Sequence, residues 1–514
     1  MSRLRYGRLI FAAVVVLVLA GIYGAAGIRH PAAAAGKSAR PTRAEVSMAT
    51  RVCPAPGSAA PTAGSVAVAA MPSSSAAGTA VVSRLTPSGS ASAGSPVATA
   101  DKAGVLQVVG IKTAAPLSSA EKAGQPGSSA NVTTQAGRGG VEVNATGAMA
   151  QGLEVEQTNS RGVVTAQCST PGTSFWFVGP GQASAGTIEL YLMNTGSQPA
   201  DAQVSVLTDV NKGPPLLGNA DNGITVPPHG MVVQSLGRLL QSSKIIALNV
   251  TTSVGQVAAA VRESQSARDA GIWLPATQAP ARHIVIPGLP RTRGTPELYL
   301  AVPGTAAAEV KVTAVTAKGS YQPTGGTGID LLGGSAVSIA FSSLSAVPAA
   351  ISISSTVPVV AAELVSGGPA GAPGALAVSS GPVLQQGVLA DNPARLAGST
   401  ELVLSAPGKA ASVRITTATT SLAADGQQGT VVNIKAGSSV VIAPRPPKGS
   451  EAAEFALVVT PIAGSGPVYA DRVIAIGRTV ESIVPVPSSL TWIALPSVQN
   501  SLSASSAASH SSAG

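Results

Sequence analysis

The chain has 514 residues, enough for three or four domains of ordinary size, and 45 % of them are apolar but only 3 % aromatic, so its cores are built from small aliphatic side chains that each bury modest area. Its 57 glycines and 39 prolines favour short strands and turns over long helices. The formal charge of +9 is concentrated at the start: eight basic residues against Glu45 put +7 of it within residues 1–51, which excludes the distributed basic face with stacking aromatics that a nucleic-acid binder needs.

Leu9 to Ile28 (LIFAAVVVLVLAGIYGAAGI) carries no charge and follows Arg3, Arg5 and Arg8. Twenty apolar residues match the hydrocarbon thickness of a bilayer, and the arginines hold the N-terminus in the cytoplasm. Residues 1–28 are therefore expected to be a cytoplasmic stub and a single transmembrane signal anchor. The alternative is secretion after signal-peptide cleavage near His30 to Gly36. Either reading exports the rest of the chain. Residues 29–50 read as a linker.

The next 450 residues or so repeat themselves. TIELYLMNTG (187–196), PELYLAVPG (296–304) and TELVLSAPG (400–408) are near-copies, with Glu189, Glu297 and Glu401 at matching positions. Each copy is followed by an alternating strand (202–207, 308–315, 411–418). Next comes a strand–turn–strand signature with a glycine in the turn (223–236, 328–341, 431–444), and then a two-strand close (247–261, 349–364, 455–473). The units are placed at 53–167 (a degenerate first copy), 168–286, 287–395 and 396–496, and the Ser/Ala-rich 497–514 reads as a disordered tail. Six or seven short strands per unit, with no helical connection between them, predict an all-β chain of tandem antiparallel, immunoglobulin-like sandwiches. The alternative is a β-propeller in which each unit supplies two four-stranded blades. Alternation puts Glu189, Glu297 and Glu401 on the solvent face of their strands.

Candidate chemistry is sparse. Cys53 and Cys168 are the two cysteines, and in an exported chain they are expected to pair, tying the start of the first unit to the entry of the second. The four histidines, His30, His229, His283 and His510, show no metal-ligand spacing, so no metal and no cofactor is expected. SAEK at 119–122 matches a Ser-x-x-Lys nucleophile pattern without its companion motifs. Phe175, Trp176 and Phe177 form the densest aromatic run. It can serve as a surface for protein or carbohydrate, or as a core plug at a domain junction.

The order Cys-x-x-Pro-Gly-x-x-Phe-Trp-Phe-Val-Gly (168–179), Leu-Tyr-Leu-Met-Asn-Thr-Gly (190–196), Val-Pro-Pro (226–228), Gly-Gln-Val-Ala-Ala-Ala-Val (255–261), Trp-Leu-Pro (273–275) and Pro-Gly-Leu-Pro (287–290) resembles the actinobacterial DUF5719 family. Its members are secreted or membrane-anchored proteins of unknown function. The resemblance implies no catalytic residues. It points to a membrane glycosyltransferase as a candidate partner. The expected function is non-enzymatic: a membrane-anchored extracytoplasmic protein whose β-domains contact an envelope protein or cell-wall glycan, with no role for nucleic acid. The alternatives are an accessory subunit of an envelope glycosyltransferase or polymer exporter, and an envelope hydrolase.

Overall fold

The computed structural model describes residues 42–495 with breaks, the longest at 113–133. The apolar run at 9–28, most of the 29–50 linker, the SAEK stretch and the 497–514 tail lie outside the described residues. Among the described residues the structure is almost entirely strand, with two single-turn 3-10 helices, Ala148–Ala150 and Ser342–Leu344. No described helix is long and apolar enough to cross a membrane.

The chain divides into two compact units, Met1–Ala44 with Trp492–Gly514 and a main body, Glu45–Thr491. The strands Thr42–Glu45 and Trp492–Leu495 pair as a two-stranded ribbon.

The main body holds four units, at 48–167, 174–274, 281–378 and 387–483, each with eight principal strands. One strand order recurs four times. The first, sixth, third and fourth strands pair side by side in one sheet, and the fifth, second, seventh and eighth in another. In the second unit, for example, Ser174–Pro180 pairs with Ile245–Val254, which pairs with Ala200–Thr208, while Thr187–Asn194 lies between Gly230–Ser235 and Ala258–Ser264. In the third unit the sixth and seventh strands are one 17-residue strand, Ala349–Val365, which runs from one sheet into the other. The two sheets of a unit share one apolar core. Leu402, Leu404, Val413, Ile415, Phe455 and Leu457 are buried together in the fourth.

Eight strands, rather than the six or seven read from the pattern, follow from two kinds of strand that carry no alternation. The eighth strands are as short as three residues, as in Ile272–Leu274. Some opening strands, such as Gly387–Asn392, are buried at every position.

The turn between fourth and fifth strands repeats one backbone device. His229, Gly334 and Gly437 occupy matching places with φ of 44°, 72° and 68°. Glycine enters this left-handed region without a Cβ clash. In the second unit His229 takes the position itself, ahead of Gly230, with its N–H donating to the Gly196 carbonyl at 3.1 Å.

Both sheets of every unit are covered on both faces. The 1-6-3-4 sheet of each unit packs on the 5-2-7-8 sheet of the next. Val52 and Leu85 of the first unit are buried with Tyr191, Met193, Met231, Ala258 and Ala260 of the second. The second unit's core continues into Tyr299, Ala301, Val360 and Ala362 of the third. Between third and fourth, the Ser405 hydroxyl donates to the Pro287 carbonyl at 2.8 Å and the Ser439 hydroxyl to the Val315 carbonyl at 2.7 Å. There Gly288 lies so close that a Cβ would sit 2.6 Å from the Cβ of Val403. The circuit then closes: Val388, Ala390, Ala456 and Val458 of the fourth unit are buried against Ala67, Ala69 and Leu106 of the first. The Leu106 N–H donates to the Thr419 carbonyl at 3.1 Å across this last seam.

Candidate functional site

The repeated Glu-Leu-Tyr-Leu strand shows what the repetition is for. Leu190, Leu192, Leu298 and Leu300 point into their own units. Tyr191 and Tyr299 point the other way and are buried against the preceding unit. The tyrosine hydroxyls donate to Glu189 at 2.9 Å and to Glu297 at 3.1 Å, and Arg262 lies 3.5 Å from Glu189. The solvent face expected for these glutamates is therefore a junction face, on which Glu189, Glu297 and Glu401 are half-buried. Alternation reports which side chains share a face, but not what covers that face.

For the aromatic run the structure takes the second of the two readings, the core plug at a domain junction. Trp176 is 7 % exposed and Phe177 is buried, within the core that joins the second and third units. Phe175 is half-buried against it. The strand has core on both sides, so Phe175, Trp176 and Phe177 form a junction plug and leave no aromatic platform for a ligand. Trp273 stacks edge-on against Tyr191 at 5.1 Å between ring centres.

Cys53 and Cys168 are joined in a disulfide. It lies where the segment leaving the first unit runs beside that unit's opening strand: Val52 and Ser169 exchange backbone hydrogen bonds of 2.8 and 2.9 Å. The second and third units hold the equivalent place without a covalent bond. Thr277 donates to the Trp176 carbonyl at 2.8 Å, and Ser380 to that of Val285 at 3.0 Å.

The seventh strands carry charged residues among their apolar positions. At one register position the partners across strands two and seven are Tyr191–Ala260, Tyr299–Ala362, Val403–Asp471 and Ala67–Glu156. The small Ala67 leaves room for the Glu156 carboxylate at the closing seam. That carboxylate accepts from the Ala390 N–H at 2.8 Å and lies 2.8 Å from the Arg472 guanidinium, with both side chains fully buried. Arg472 also donates to the Asp391 carbonyl at 2.7 Å, and the Thr158 hydroxyl donates to the Asp391 carboxylate. Glu154, beside them, is 3.8 Å from Arg51 and accepts from Gln167 at 3.3 Å. Burial pushes the Glu156 and Asp391 carboxyls up despite Arg472. Burial, opposed by Arg51 and reinforced by Glu156, raises Glu154 to about 8.

Two further carboxyls on seventh strands are buried without a nearby cation raising their affinity for charge. Burial alone lifts Glu263 well above its usual range and Glu363 to about 8. Among the described residues neither Glu363 oxygen has a hydrogen-bond partner. Recurrence of a charged residue in an otherwise apolar seventh strand (EVEQ, VRES, AELV, ADRV) is the signal that could have found this group.

A pH dependence follows. Folded Glu154 and Glu363 keep their protons up to about pH 8, whereas the unfolded carboxyls lose them near 4.5. Between those values unfolding releases protons, so stability falls as pH rises. The slope is about 1.4 kcal/mol per pH unit for each retained proton. Denaturant titrations at pH 5, 6.5 and 8 should show this decline. Glu363→Leu should flatten it and, at pH 8, add roughly 1–3 kcal/mol by removing an unsatisfied buried group.

Other polar features carry less. His229 lies 3.9 Å from Glu142, and His283 bonds Ser354 at 3.3 Å on the surface. Among the described residues no group of three or more His, Cys, Asp or Glu is placed to hold a metal ion. A shallow open groove in the fourth unit is lined by Ser412, Asn433, Lys435 and Ser465. Its Ser412 hydroxyl is already bonded to Asn433 at 2.7 Å. Glu154, Glu156, Asp391 and Arg472 thus bond to the protein itself around the closing seam.

A comparison with curated proteins finds no match. The family model described as a family of unknown function, DUF5719, matches residues 120–445. That span runs from the second half of the first unit to the end of the repeated strand–turn–strand of the fourth. The chain belongs to the DUF5719 family.

Proposed function

We propose that this chain is a non-enzymatic, membrane-anchored extracytoplasmic protein that presents four β-units to the cell envelope, as a contact for an envelope protein or cell-wall glycan. The observation that carries the reading is the buried Cys53–Cys168 disulfide, because such bonds persist in oxidising compartments. The apolar run at 9–28, flanked by arginines, supplies the anchor that places the units outside. We read each unit as a variant immunoglobulin-like sandwich. Strands two to six take the places of B, C, C′, E and F, while the first and seventh strands have exchanged the sheets that A and G occupy. The circuit of seams between units favours a rigid presenting platform over a flexible string of domains.

Fractionation and crosslinking of intact cells test this. The expected result is an oxidised chain that sediments with membranes, resists carbonate extraction and captures a reproducible envelope protein or glycan. A cytosolic chain with two free thiols overturns it.

A further inference from the structure

Two adjacent large apolar residues at the end of the described chain are exposed: Trp492 at 44 % and Ile493 at 41 %. They lie on Trp492–Leu495, the partner of Thr42–Glu45 in the two-stranded ribbon. We infer that this ribbon is a membrane-interface contact that seats Trp492 and Ile493 in the headgroup layer of a lipid bilayer. The inference rests on the membrane-anchored reading and adds a second point of contact to it.

Three observations select lipid as the occupant. The first is distance along the chain. Residues 29–41 alone separate the apolar run from the ribbon. Thirteen residues span at most about 45 Å. A tether no longer than that keeps the ribbon close to the bilayer. The second is charge. Arg29, Lys37, Arg40 and Arg43 lie between the apolar run and Glu45 with no acidic residue among them, and Arg43 is exposed on the ribbon. Basic residues held near an anionic leaflet are attracted to it. The third is geometry. Successive strand residues point to opposite faces, so Trp492 and Ile493 set one exposed apolar side chain on each face of the ribbon. A protein groove would cover one face, whereas a ribbon entering a headgroup layer wets neither. Tryptophan suits that depth because its ring is apolar and its N–H can stay hydrated.

The test uses the full chain in vesicles of phosphatidylcholine and phosphatidylglycerol whose acyl chains carry bromine close to the headgroups. Trp176 is buried and Trp273 is packed on Tyr191, so quenching by the lipid reports Trp492. The expected result is quenched emission in the wild type and loss of that quenching in Trp492→Phe, with both chains retained by the vesicles. Retained chains with no quenching, or with equal quenching in both, overturn the inference and leave the anchor standing. Chains that float free of the vesicles remove the anchor and the inference together. Emission of Trp492 that shifts only on adding envelope proteins, without lipid quenching, replaces the lipid with a protein partner and also overturns it.

Discussion

Replacing Arg472 by alanine is expected to destabilise the protein by about 3–5 kcal/mol, the loss that follows when one member of a buried ion pair is removed. Arg472 is fully buried, 2.8 Å from Glu156, and donates to the Asp391 carbonyl at 2.7 Å. Without it, the Glu156 carboxylate is left in the seam between fourth and first units, with Asp391 and Glu154 as its acidic neighbours. Denaturant unfolding at neutral pH measures the loss. Arg472→Met combined with Glu156→Leu should recover most of it, because an apolar pair of similar volume leaves no unpaired charge. The two singles and the double form a cycle whose coupling term belongs to the seam. A coupling near zero would mean that the apolar contacts of Ala67, Ala69, Val388 and Val458 close the circuit by themselves.

The second large effect is expected from the disulfide. Cys53 and Cys168 are 115 residues apart, and a covalent loop of that length restricts the unfolded chain by roughly 4–5 kcal/mol in the simple entropic account. Cys53→Ala with Cys168→Ala should lower the denaturation midpoint accordingly. Reductant should act on the wild type only as it unfolds, because both sulfurs are buried. The first unit is where such a bond matters most. Its closing partner is the fourth unit, distant in sequence, while the equivalent crossings of the second and third units rely on single backbone bridges from Thr277 and Ser380. An unchanged midpoint would show that the closed circuit already restrains the same ends.

Particular residues show how far the pattern could be followed. The two Glu-Leu-Tyr-Leu copies and Glu-Leu-Val-Leu at 401–404 located the second strand of three units, and the alternation of Leu190 and Leu192 correctly turned them inward. The all-β class was legible because Val, Ile and Gly-turn chemistry is local. The same alternation misassigned Glu189, Glu297 and Glu401, because it assumes that the second face meets water. Trp176 escaped for a related reason: an aromatic residue flanked by aromatics reads equally as a platform and as a plug. The short eighth strand, three residues in the second unit, is below the length at which a period can be detected.

By itself, the amino-acid sequence determined the strand-only class, the repeated order of features, the pairing of its two cysteines and the family, because each depends on neighbours along the chain or on a small set of special residues. The tertiary structure alone decided that the outer face of each sheet is covered by the next unit. It also decided that the fourth unit returns to the first, and that Glu156, Arg472 and Asp391, scattered over more than 300 residues, converge in one buried network. Those outcomes depend on which surfaces meet when the chain closes. Burial then raises the energy of every unpaired charge, so the positions of the charges acquire meaning only once the seam exists.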